Sequence, residues 1–190
     1  MTEYTEAIRQ HIRSMRSEPA PPPWTRVEAP LIGGLHSVGF GVHPGQEDLL
    51  LVASWSGRSV LDGLTGGIVA RDGDEAVQEW TGPLGQECAG IGPLDGQWLP
   101  MTGIWGGGLP RVTIDDWSVA RLVIDWPDER VVLQPPGRDV TVPGEEFGCV
   151  QLDAPMSEVR AAGFSRSSRV LAIATASELT IFARQGPVGT

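Results

Sequence analysis

The chain has no lysine and no asparagine; all 14 of its basic residues are arginine. Both codon families are disfavoured by a GC-rich genome, which accounts for the joint absence. The chemical consequence stands on its own: without lysine there is no Schiff base, no Walker-type phosphate loop and no kinase-type phosphate ligand. Cysteine is limited to Cys88 and Cys149, and nothing in their spacing demands a disulfide. Two buried free thiols in a reducing compartment are the expected state, since 190 residues can bury a core without covalent support. Positive charge is also short. Fourteen basic residues face 24 acidic ones, for a net charge of -10. That balance argues against a nucleic-acid face and against anionic membrane surfaces, and fits a soluble protein or one that captures a basic partner. No run approaches the ~20 apolar residues needed to span a bilayer. The opening MTEYTEAIRQHIRSMR lacks the apolar segment of a signal peptide. A bacterial, cytoplasmic location is expected.

What is present reads as one helix followed by many short strands. Over residues 2–17, Ile8, Ile12 and Met15 recur on one helical face with Tyr4 behind them, Glu3 and Glu6 sit in the first turn, and Arg9, Arg13 and Arg16 follow. Pro19 and Pro21 to Pro23 stop the helix. The expected organisation is an N-terminal amphipathic helix over 1–18, a Pro-rich linker over 19–24 and a single all-β domain over 25–190. From Thr25 onward, glycine and proline punctuate short apolar runs, the pattern of an antiparallel β protein. Strands are predicted at 35–42, 48–54, 58–62, 67–71, 76–80, 97–104, 111–114, 118–125, 129–134, 139–142, 147–152, 159–164, 169–175 and 178–183. The 118–134 pair reads as a hairpin turning at Trp126-Pro127-Asp128-Glu129.

One pattern occurs twice. Residues 37–71 and 160–184 each contain a Gly-Phe pair (Gly39-Phe40 and Gly163-Phe164), a polar turn, an apolar run, a second polar turn, a β-branched pair and a closing Ala-Arg. A looser third copy is expected over 90–114, and the irregular spacing of the three argues against a regular solenoid. The segment EVRAAGFSRSSRVLAIATASELTIFAR resembles a blade of the WD-repeat and related propeller families, and residues 37–71 resemble it more loosely. The Trp-Asp dipeptide of a WD blade is missing from its expected places, and the chain is short for a closed ring. The resemblance therefore implies stacked antiparallel meanders, or a partial barrel or sandwich, serving as a binding scaffold. It carries no catalytic residue across.

Candidate chemistry concentrates in residues 98–117. Trp98, Trp105 and Trp117 surround Gly106, Gly107 and Gly108, with Arg111, Asp115 and Asp116 beside them. Trp and Arg dominate binding hot spots, and a Gly triplet exposes backbone, so these nine residues form the predicted binding site; Trp in the core around a Gly-rich turn is the competing reading. The triplet does not lead from a strand into a helix, which leaves the phosphate-loop reading weak. His36 and His43 flank one strand at an odd separation, a poor arrangement for joint metal ligation. No metal and no cofactor is expected. The acidic turn Asp72-Gly73-Asp74-Glu75 falls short of a calcium loop, and no nucleophile motif is present.

These observations favour a non-catalytic protein-binding function, with an acidic antitoxin or immunity protein as the type, and a protein partner with no nucleic acid or membrane. A small hydrolase using Asp115, Asp116 or Glu146 as acid and base is one alternative. A structural module that oligomerises through the N-terminal helix is another.

Overall fold

The computed structural model describes residues 3–73, 81–125, 128–154 and 158–185. The chain begins with α1 (Glu3–Ser14), then β1 (Ser17–Glu18), β2 (Thr25–Val27), β3 (Leu35–His43), β4 (Gln46–Ser54), β5 (Gly57–Asp62), β6 (Ile68–Asp72), β7 (Glu87–Ala89), β8 (Trp98–Pro100) and β9 (Thr102–Gly103). It continues with β10 (Ser118–Asp125), β11 (Asp128–Gln134), β12 (Val150–Leu152), β13 (Ala161–Phe164), β14 (Val170–Ala174) and β15 (Leu179–Ala183). The protein is mainly β with one helix. The strands form sheets ordered β1-β12-β11-β10, β13-β14-β15-β2, β6-β5-β4-β3-β9 and β7-β8, none closed into a barrel. All pairings are antiparallel except β1 with β12.

The sheets stack face to face, and the alternation of side chains along each strand shows why. In β14, Leu171 and Ile173 pack with Val131 and Leu133 of β11, whereas Val170, Ala172 and Ala174 pack with Leu50 and Val52 of β4. In β4, the residues between those two, Leu49, Leu51 and Ala53, turn the other way and meet Cys88 and Leu99 of the β7-β8 sheet. A strand buried on both faces must be apolar at every position, hence the unbroken runs Leu49–Ala53 and Val170–Ala174. At the far end Val132 of β11 turns away from β14 and meets Ile12 of α1, with Ile8 and Met15 packed alongside. The order of layers is therefore helix, β10–β12, β13–β15, β3–β6 and β7-β8.

Most predicted strands are present, with boundaries shifted by a few residues. The helix is shorter than expected, ending at Ser14, whose Oγ donates to the His11 carbonyl at 2.7 Å. Residues 17–18 leave the helix to pair with β12. Segment 97–104 breaks into β8 and β9, which belong to different sheets. No strand forms at 111–114, where the chain makes a tight turn closed by Thr113 N donating to Trp117 O at 2.8 Å. Nor does one form at 139–142, where Asp139 accepts from the Thr141 amide at 2.8 Å. The meander pattern does recur a third time, but over β10–β12 rather than 90–114, whose prolines and glycines allow only short pairings. The β10-β11 hairpin forms as predicted. Its turn residues Trp126 and Pro127, the predicted strand 76–80, and Asp74 and Glu75 lie outside the described residues. No described helix is long and apolar enough to cross a membrane.

The N-terminal strand β2 completes the sheet of the C-terminal meander by pairing with β15. Just before it, Trp24 lies in the core, edge-on to Trp117 at 6.1 Å between ring centres and tilted against Phe164 at 5.4 Å.

Candidate functional site

The structure distributes the predicted site residues among three surroundings. Trp117 is in the core against Trp24. Asp115 accepts two hydrogen bonds from the Arg184 guanidinium, both at 2.6 Å, and a third from the Thr113 hydroxyl at 2.7 Å. Those bonds, Arg184 first, hold its carboxyl down at about 2 against a partial opposing effect of burial. Asp116 is exposed in the left-handed region (φ 65) as the corner residue of the 113–117 turn. Its role there is conformational.

Trp105 joins an aromatic group that the sequence did not announce. Its ring is 4.8 Å from His36 and 6.3 Å from Trp55, both near edge-on, and His36 is 5.2 Å from Trp55. His36 is fully buried, and its Nδ1 lies 3.0 Å from Ser37 Oγ. Burial first, then repulsion from Arg160, push its pKa down to about 4. It is a neutral core histidine at ordinary pH. Among the described residues no cluster of His, Cys, Asp and Glu is arranged to hold a metal ion.

Gly106, Gly107 and Gly108 lie between two concavities. Gly106 and Gly107 adopt positive φ (94 and 90), and a side chain at Gly107 would collide with the Met101 carbonyl. On one side is a cavity of about 170 Å³ lined by the triplet together with Arg111, Arg121 and Arg160. On the other is a larger, more apolar cleft of about 570 Å³, walled by Pro83, Leu84, Glu87, Pro100, Met101 and two of the same glycines. Trp98 lines neither. It stands 55 % exposed on the outer face of β8, on the same side as Pro100, while Leu99 between them points inward.

Of the nine predicted residues, the structure thus brings Gly106, Gly107, Gly108 and Arg111 to one cavity, and separates Trp98, Trp105, Asp115, Asp116 and Trp117 from it. Glu146, the other acid considered for hydrolysis, lies beside His11 and Val140 next to α1 and lines neither concavity. Hydrogen bonds from its own amide and that of Gly144 hold its carboxyl low. Cys88 and Cys149 are free thiols in different packing groups, Cys88 beneath β4 and Cys149 beside α1. Arg121 and Arg160 were missed because each comes from a strand region remote in sequence, and an isolated arginine in an apolar strand carries no local motif. No protein family, characterised protein or solved structure matches the chain.

Proposed function

We propose that the chain is a non-catalytic protein-binding module whose recognition face is the outer surface of the β7-β8 sheet and the adjoining cleft. One observation carries this reading: among the described residues, the layered stack is finished at one end and open at the other. At the α1 end the amphipathic helix covers the last sheet with Ile12, which is 1 % exposed. At the opposite end Cys88 and Leu99 of the β7-β8 sheet are buried inward, with Ala89 partly packed beside them. The outer side presents Trp98, Pro100 and, across the cleft, Leu84 at 76 % exposure. A large aromatic anchor beside an apolar cleft is the usual composition of a binding hot spot.

The partner fitting this face is a folded protein with a basic surface. The chain carries a net charge of -10; exposed Glu87 lines the cleft, and exposed Asp95 lies in the connection between β7 and β8. Such a rim steers a basic partner into place and weakens with salt. An acidic inhibitor of a basic enzyme, of the antitoxin or immunity type, has this character. The catalytic alternative draws less support, because among the described residues no acid lines the smaller concavity and only Glu87 lines the larger. The oligomerising alternative draws less still, since Ile12 of the helix's apolar stripe is buried within its own chain and Ile8 and Met15 are partly buried beside it.

The test is photo-crosslinking from position 83, an exposed wall residue of the cleft, in the cell of origin, with position 9 on α1 as control. A single partner is expected at position 83, lost in the Trp98→Ala, Leu84→Ser double variant and weakened by added salt. Retention of the same partner by that variant, or equal crosslinking from position 9, overturns the proposal.

A further inference from the structure

We infer that the small cavity where β9, β10 and β13 converge is a binding site for an oxyanion, the phosphate or carboxylate group of a small molecule. An acidic chain gathers Arg111, Arg121 and Arg160 around one cavity of about 170 Å³, and no aspartate or glutamate is among its described lining residues. Two of these cations are held in place. Arg121 donates through Nε and Nη2 to the carboxylate of Glu129 at 2.7 and 2.6 Å. Arg160 donates to the Leu35 carbonyl across the sheet interface, with exposed Glu158 3.8 Å away. Fixed guanidinium groups lose little freedom when a ligand arrives.

Arg111 is different. Its side chain is exposed and makes no hydrogen bond or ion pair with any described residue, while its carbonyl is pinned by the Val119 amide at 2.9 Å. One carboxylate neutralises Arg121, and a distant one partly offsets Arg160, so among the described residues the charge of Arg111 is uncompensated. The glycine triplet adds backbone donors. The amides of Gly107 and Gly108 bond to no described residue, and exposed amides next to positive-φ glycines are a recurrent anion cradle. Arginine forks suit phosphate and carboxylate alike. The volume is below the ~300–1,000 Å³ of sites for drug-sized ligands, so it admits an anionic headgroup and leaves the remainder of the ligand outside.

The test uses the full chain, titrated calorimetrically at low salt with inorganic phosphate and, separately, with succinate. Saturable one-site binding of at least one anion is expected. Phosphate alone would identify a phosphoryl ligand, and succinate alone a carboxylate. Arg111→Ala should weaken that binding about tenfold or more, a loss of ~1.4 kcal/mol, without changing the circular dichroism spectrum. Arg111→Lys should recover part of it. The absence of saturable binding for both anions up to ~10 mM, which is weaker than any useful headgroup affinity, overturns the inference. So does an unchanged affinity in Arg111→Ala. The cavity shares Gly107 and Gly108 with the cleft, but neither Trp98 nor Leu84 lines it, so the Trp98→Ala, Leu84→Ser variant should bind the anion normally.

Discussion

Replacing Asp115 with asparagine should destabilise the fold by about 1.5–3 kcal/mol, and the structure supplies the reasons. Arg184 is a buried cation: its side chain is 6 % exposed, its Nε donates to Ser168 O at 2.7 Å and its guanidinium stacks 4.7 Å over the Trp24 ring. Among the described residues only Asp115 neutralises it, through the two 2.6 Å bonds. Removing one partner of a fully buried pair costs ~3–5 kcal/mol, because the remaining charge stays desolvated. Asp115 itself is 30 % exposed at the side chain, so water can partly replace it, and the cost falls to the lower part of that range or beneath it. The depressed pKa gives a similar scale. A carboxyl held at about 2 rather than 3.8 corresponds to ~2.5 kcal/mol before discounting for solvent screening. The assay is urea unfolding near neutral pH, reading the midpoint at constant slope. A double-mutant cycle with Arg184→Met should give a coupling above ~1 kcal/mol. The sign with pH follows from linkage. A carboxyl with a lowered folded pKa contributes stability above its unfolded value, and this is lost as pH falls through the folded one, so wild type and Asp115→Asn should converge between pH 3.8 and about 2. A loss under ~0.5 kcal/mol, within the range of an ordinary surface substitution, would refute the assignment of a buried, obligatory ion pair.

Two further outcomes follow from titratable groups shifted by burial or partial burial. His36 titrates at about 4 in the fold and at 6.5 when exposed, so between those values the unfolded chain binds the extra proton. Stability should therefore rise by up to ~3 kcal/mol across that window, and His36→Phe should flatten the slope there; an unchanged slope in the variant would refute it. Burial raises the thiols of Cys88 and Cys149 to about 11, so near pH 8, below an ordinary thiol pKa of ~8.5, both should react with a thiol reagent far more slowly than a peptide cysteine. Cys88 should become reactive only on unfolding, and rapid native labelling of Cys88 would contradict its packing.

The fold class was legible because the layered stack writes itself into the strands. Leu49–Ala53 and Val170–Ala174 are apolar at every position, as strands between two cores must be, and the turns between them carry the glycines and prolines that end strands. Sheet order was not legible. The pairing of β2 with β15 joins the two ends of the chain, and no local pattern specifies so distant a partner. The third meander, β10–β12, lacks the opening glycine-apolar pair that 90–114 offers in Gly90-Ile91. The site was half legible for the same reason. A glycine triplet beside Arg111 marks exposed backbone locally, whereas Arg121 and Arg160 reach the cavity only through sheet stacking. Asp115 looked like a candidate acid because its partner Arg184 lies 69 residues away.

The repeated glycine turns out to have a tertiary purpose. Gly39 and Gly163 each lie within a first strand, opposite Leu51 and Ala172, where a turn-forming role is impossible. In both cases a side chain would strike the backbone of one and the same crossing segment: the Pro100 carbonyl at Gly39, and Pro110 O, beside the Leu109 Cβ, at Gly163. Backbone cannot move aside as a flexible side chain can, so both positions require glycine. Contacts beyond each crossing fix the segment further, with Thr102-Gly103 pairing to β3 and the Phe164 amide donating to Pro110 O at 2.7 Å. Residues 100–110 are thereby laid across the edges of two neighbouring sheets at equivalent points of the repeat. Gly106–Gly108 lie between those two crossings and Arg111 immediately after the second. The placement of the arginine-lined cavity is therefore a consequence of the repeat, and a substitution such as Gly163→Ala would move the cavity wall before it disturbed either core.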